Sequence, residues 1–224
     1  MKEFIMFIII FALALGTVVA ISYKPNAPLR NEDIISHQLK TTDLEIYKIT
    51  YFKGGKVFIR VVPKIHTKDV LLRYLETRKK TVEVLSNAQP DKTIDVTITF
   101  KRKYSVDKFK YFLQRYGLKA TSYMYKSYPE GVCVFSAEIP EKSIKDLENN
   151  LKEKYKKRGY ENLKLIDGVV SFRTRIQAKD LMKLQNDSMV LLVDPGPLEV
   201  YMENPNAEVF VTVDYIYPSY EKLS

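Results

Sequence analysis

The stretch that most restricts what this chain can fold into is Gly168–Val193, GVVSFRTRIQAKDLMKLQNDSMVLLV. Val170, Phe172 and Ile176 alternate with Ser171, Arg173 and Arg175, the two-residue period of a strand. Ala178, Leu181 and Met182 then fall three and four apart, on one face of a helix. Met189–Val193 is a short unbroken apolar run, as expected of a strand covered on both faces. A strand–helix–strand unit cannot bury its own apolar surface. Other strands must pair with it, and Ile94, Phe172 and Leu192 are expected to share one interior.

The chain has 224 residues, room for one large domain or two small ones. Its net charge of +9 favours anionic partners such as lipid, cell-wall polymer or nucleic acid. Asp and Glu are interspersed with the cations, however, so the pattern reads as a solvated Lys-rich surface and nucleic acid is not expected. The single cysteine, Cys133, excludes an intramolecular disulfide and a cysteine-type metal site. It shares strand parity with Phe135, Ala137 and Ile139, so it reads as a buried apolar residue.

Phe4–Ile21 is an uncharged run of 18 residues. Val18-Val19-Ala20 offers the small residues of a signal-peptide cleavage site, with cutting after Ala20. The run also reaches the lower limit for crossing ~30 Å of hydrocarbon. The preferred reading is an uncleaved anchor that makes the membrane a partner through residues 4–21, with the body outside the cytoplasm. Cleavage after Ala20 would make the body a secreted protein.

Residues 22–43 read as a linker with Pro25 and Pro28. A hairpin comes next, Leu44 to Val62, turning at Lys53-Gly54-Gly55-Lys56. Thr67 can cap a helix to about Ser86, with Leu71, Leu72, Leu75, Val82 and Leu85 as its apolar stripe. Thr93–Phe100 alternates cleanly, which predicts that Ile94, Val96, Ile98 and Phe100 are buried while Thr93, Asp95, Thr97 and Thr99 face water. Ser105, Asp107 and Gly117 mark the cap, first turn and stop of a second helix carrying Phe109, Phe112 and Leu113. Leu118–Lys126 and Val132–Ile139 read as strands around a turn at Pro129-Glu130-Gly131. A narrow-striped helix starts at Pro140. Its end holds Lys152, Lys154, Lys156, Lys157 and Arg158, the candidate anion or partner patch, beside the stop residue Gly159. Val209–Tyr215 is a final strand, and 218–224 a tail.

The expected fold is α+β: a ferredoxin-like antiparallel sheet with helices on one face, over residues 91–217. An extra strand–helix and a C-terminal strand extend it, and residues 44–90 precede it as hairpin and helix. Two blocks carry a resemblance. ITFKRKYSVDKFKYFLQRYGLKA and VVSFRTRIQAKDLMKLQNDSMVLLVDP resemble the two halves of the propeptide-inhibitor module of subtilisin-type proteases. That resemblance implies a ferredoxin-like fold and a role in regulating an exported protease.

Chemistry is sparse in the sequence. His37 and His66 have no metal-type spacing, and no G-x-S-x-G exists. Asp194 comes after a buried strand, where an α/β enzyme could place an acid, but Asp194-Pro195-Gly196-Pro197 reads as a turn. No cofactor is expected. The leading expectation is a non-enzymatic binding or regulatory module at the membrane, with another envelope protein as partner. A protease regulator and a cell-envelope enzyme are the alternatives.

Overall fold

Strand alternation, rather than the helices, sets the architecture. The computed structural model describes residues 38–41, 44–53, 55–128, 133–136, 149, 152–159, 161, 164–204 and 206–223. The 4–21 run, Ala20, the 129–131 turn and the start of the helix at Pro140 lie outside them.

Two sheets form. The first has the order β1 (Gln38–Thr41), β2 (Glu45–Lys53), β3 (Lys56–Pro63), β9 (Glu208–Val213). Its last pairing, β3 with β9, is parallel. The second has the order β6 (Cys133–Ser136), β5 (Ala120–Tyr128), β7 (Lys164–Gln177), β4 (Thr93–Tyr104), β8 (Val190–Asp194), antiparallel throughout. The described helices include α1 (Lys68–Ala88), α2 (Val106–Tyr116), α3 (Leu181–Gln185), α4 (Leu198–Met202) and α5 (Tyr217–Leu223). The protein is therefore mixed α+β.

Local signals place α1 and α2. Thr67 and Ser105 accept hydrogen bonds from the amides of Val70 and Lys108 at the two helix starts. Gly117 ends α2 at φ 62°, and the amide of Leu118 returns to the carbonyl of Leu113. The α2 face of Phe109, Phe112 and Leu113 packs on Ile94, Ile98, Phe100 and Phe172, with Leu181 and Leu184 of α3 in the same core. The rings of Phe109 and Phe112 stand edge-on to Phe172 at 5.1 and 6.0 Å.

Several expectations are corrected. Thr97 and Thr99 do not face water; they are 3% and 1% exposed. The Thr97 hydroxyl donates to the carbonyl of Val213 at 2.9 Å, so the end of β9 lies over that face. Helices therefore cover both faces, not one. On the second side Leu71, Tyr74 and Leu75 of α1 pack with Leu192 and Ile216, and Tyr217 of α5 packs with Met124 and Val170. Leu192 accordingly does not share the interior of Ile94 and Phe172. Val170 is also displaced from the side of Phe172. Met124 pairs with Ser171 and Tyr125 with Val169, so Val170 is the extra residue of a bulge. The final strand does not extend the second sheet but joins β3 in the first. Tyr217–Leu223 forms helix α5.

The outer edge of β8 is closed by a side chain. The amide of Val193 donates to Gln185 Oε1 at 2.9 Å, and Gln185 Nε2 donates to the carbonyl of Leu191 at 3.3 Å. One glutamine thus occupies the position of a neighbouring strand and blunts the edge.

Two tyrosines give the fold an alkaline limit. Tyr116 donates to Asp187 at 2.6 Å, and burial together with that bond pushes its phenol up to about 12. Burial, then Glu221, pushes Tyr217 up to about 12 as well. Both folded-state values exceed the ordinary 10.0, so the stability they contribute is fully present below 10. It is lost as pH rises from 10 toward 12. Denaturant midpoints should fall across that window in step with tyrosinate absorbance, and midpoints flat to pH 12 would contradict the assignment.

Candidate functional site

Helix α1 carries an arginine where its period demands an apolar residue. Leu71, Tyr74, Leu75, Arg78, Val82 and Leu85 repeat at three and four and are all buried, so the guanidinium of Arg78 enters the interior. A buried charge must be paired. Arg78 Nε lies 3.2 Å from Asp194 Oδ1 at the end of β8, and its Nη2 pairs with Glu45 at the start of β2. Its guanidinium also stands over the Tyr74 ring, 4.8 Å from the centroid.

Asp194 is the other centre of this cluster. It accepts from the Tyr74 hydroxyl at 2.6 Å and from the amide of Gly196 at 2.9 Å. Burial pushes its carboxyl up; Arg78, Tyr74 and the Gly196 amide pull it back without cancelling the rise. Burial likewise raises the Tyr74 phenol, and its bond to Asp194 adds to that. The Tyr201 hydroxyl donates to the carbonyl of Pro195 and pins the turn after Asp194. Both oxygens of the Asp194 carboxylate have partners, so it links the end of β8 to α1 through Tyr74 and Arg78, and Arg78 carries the link on to Glu45 of β2.

Above this ionic floor lies an open cleft of about 480 Å³. Leu44, Val84 and Leu198 supply its apolar wall. Arg73, Thr77, Lys80 and Glu199 supply exposed polar groups. Lys80 is held by Glu76 at 2.8 Å, one turn back. Arg73 and Glu199 make no ion pair among the described residues. The cleft thus offers one cation, one anion and three aliphatic side chains on a rigid base, a volume and composition suited to a small ligand or a short segment of chain.

The residues singled out from the sequence fall elsewhere. Residues 152–156 are helical, and Lys152, Lys154, Lys156, Lys157 and Arg158 are exposed as a group. Gly159 comes next at φ 85°, with its amide bonded to the carbonyl of Lys156. Arg158 stands over the Tyr155 ring, 5.9 Å from the centroid. This patch does not line the cleft. His66 is exposed in a loop, His37 lies outside the described residues, and Cys133 begins β6. Among the described residues no group of His, Cys, Asp and Glu could hold a metal ion. No described helix is long and apolar enough to cross a membrane.

Sequence reasoning misses Glu45, Tyr74 and Arg78. A signal exists for Arg78: it sits in register with the apolar stripe of α1, although beside Lys79 and Lys80 it reads as the start of a solvated basic run. No protein-family model matches this chain, and no curated protein or solved structure matches it either.

Proposed function

We propose that this chain is a membrane-tethered, extracytoplasmic binding or regulatory module whose cleft receives a short segment of another envelope protein. The observation that carries the reading is the cleft between Leu44, α1 and Leu198. Its floor charges, Arg78 with Glu45 and Asp194, are ion-paired with one another, while Arg73 and Glu199, which make no ion pair among the described residues, are offered to a partner of mixed charge. The 4–21 run supports the tether. A partner of this kind would lay aliphatic side chains against Val84 and Leu198 and place an acid near Arg73.

The test is site-specific photocrosslinking in intact membranes. A photoreactive side chain replacing Thr77 in the cleft is expected to capture one discrete protein, and the same probe at exposed Lys79 is not. Identical adducts at both positions, or none at Thr77, would remove the cleft from this role. Protection of the body from a protease added on the cytoplasmic side is the companion result for the tether.

A second reading draws on strand order. β8-β4-β7-β5, with α2 joining β4 to β5 and α3 joining β7 to β8, supports reading the second sheet as a ferredoxin-like arrangement with β6 added at its edge. That favours a propeptide-like regulator of an exported protease as the alternative. Nanomolar inhibition of a subtilisin-type enzyme is its expected result, and no inhibition at micromolar chain removes it. One fold serves many functions, so topology alone does not choose between the two.

A further inference from the structure

The end of β4 and helix α2 form the most one-sidedly charged part of the described surface. Residues 101–119 hold seven Lys and Arg, Lys119 included, and one acid, Asp107, a local charge of +6 (7 − 1). Lys101, Arg102 and Lys103 are exposed at the strand end, and Lys108, Lys110 and Arg115 are exposed on the helix that begins two residues after the strand ends. Several surface cations elsewhere are paired. Lys56 meets Glu208 at 3.1 Å, Arg60 meets Asp214 at 2.7 Å, and Arg175 meets Asp95 at 2.9 Å. Here Lys101, Lys103, Lys108, Lys110 and Lys119 meet no acid among the described residues; Arg115 has one, Asp187 at 3.1 Å. A large aromatic stands among them, since Tyr111 is 65% exposed on the same helix. Lys183, whose Nζ lies over the Tyr116 ring, adds a further cation at the helix end.

We infer that this face, α2 with the end of β4, lies against the anionic headgroups of the membrane that holds the 4–21 run, an inference that rests on the tether proposed above. Unpaired lysines around an exposed tyrosine fit a lipid surface chemically. The cations meet phosphate, and the phenol ring seats at the boundary between headgroup and acyl chain. The inner face of α2 is committed to the core through Phe109, Phe112 and Leu113, so the outer face is presented as a rigid unit. Residues 22–37 connect the run to β1 and span at most about 55 Å. The tether therefore holds the patch at high effective concentration beside the bilayer, where a modest attraction suffices. An anchor and a basic patch together orient the body, with α2 toward the lipid.

The experiment is lysine acylation of the full-length chain in lipid nanodiscs, read by mass spectrometry at each lysine. On phosphatidylglycerol discs Lys101, Lys103, Lys108 and Lys110 are expected to react about threefold or more slowly than on phosphatidylcholine discs, with the difference lost at high salt. Lys79 and Lys154 should react equally on both. In the Lys108→Glu, Lys110→Glu variant, with its melting temperature unchanged, the lipid-dependent slowing at Lys101 and Lys103 should disappear. Equal rates on the two discs would overturn the inference. So would slowing at Lys154 in place of Lys108, or protection by duplex DNA without protection by anionic lipid. Co-elution of chain with disc lipid is recorded first. A chain that stays lipid-free sinks the tether, and the same labelling on phosphatidylglycerol vesicles then decides the patch by itself.

Discussion

Replacing Arg78 with alanine is expected to destabilise the protein by about 3–5 kcal/mol, because it leaves two carboxylates buried without their cation. Glu45 is 7% exposed and Asp194 1%, so neither can turn to water. Arg78→Lys should fall in between, since an ammonium keeps the charge but cannot reach Asp194 and Glu45 as a planar fork. The loss also has a sign in pH. Burial already holds the folded Asp194 carboxyl above its ordinary 3.8, and removing Arg78 takes away a group that pulls it down. A carboxyl whose folded value exceeds the unfolded one gains stability as pH falls through the folded value, because the native state then binds the extra proton. The deficit of Arg78→Ala should therefore shrink on acidification toward 3.8. Urea midpoints of wild type and variant at neutral and mildly acidic pH measure it. A deficit near zero at neutral pH, or one that grows with acid, would show that Arg78 does not neutralise these carboxylates.

The second large effect is expected at Gly196. Its φ is +84°, and a Cβ there would stand 2.8 Å from Val211 Cγ1 and 3.5 Å from Val61 Cγ2. Left-handed backbone costs a non-glycine residue about 1–2 kcal/mol, and forcing a methyl into a packed core about 1–3 more. Gly196→Ala should then lose about 2–5 kcal/mol. Gly55, at φ +76°, has nothing within 4 Å of such a Cβ, so Gly55→Ala isolates the backbone part and should lose about 1–2 kcal/mol. Equal losses at the two positions would show that the Val61–Val211 contact yields freely. The Gly196 amide also donates to Asp194, so Gly196→Ala and Arg78→Ala should not add in the double variant.

Both effects sit where the sequence is hardest to read. The turn at Asp194-Pro195-Gly196-Pro197 is legible as a turn, since proline and glycine restrict the backbone locally. That its aspartate anchors an arginine on α1 is not, because the two residues are 116 positions apart (194 − 78). Arg78 illustrates the general difficulty. Its helical register places it on the buried face, yet an arginine beside two lysines reads as solvent. Only partners brought in from β2 and β8 make its burial possible. Glu45 shows the same thing from the other side. It opens a strand with nothing nearby to suggest an ion pair.

What the residue order determined by itself is whatever depends on near neighbours along the chain. The caps at Thr67 and Ser105, the stop at Gly117, the strand period of Thr93–Phe100 and the strand–helix–strand of 168–194 all arise from contacts within a few residues. These already require an α+β protein. Tertiary structure alone decided which faces stay dry. Thr97 and Thr99 look like a wetted edge until β9 crosses to pair in parallel with β3 and Val213 accepts the hydroxyl of Thr97. Small hydroxyl residues tolerate either environment, so their burial is settled by what lies above them. The cleft belongs to the same class, because its walls come from the start of β2, from α1 and from α4, which meet only after both sheets have closed over the common core.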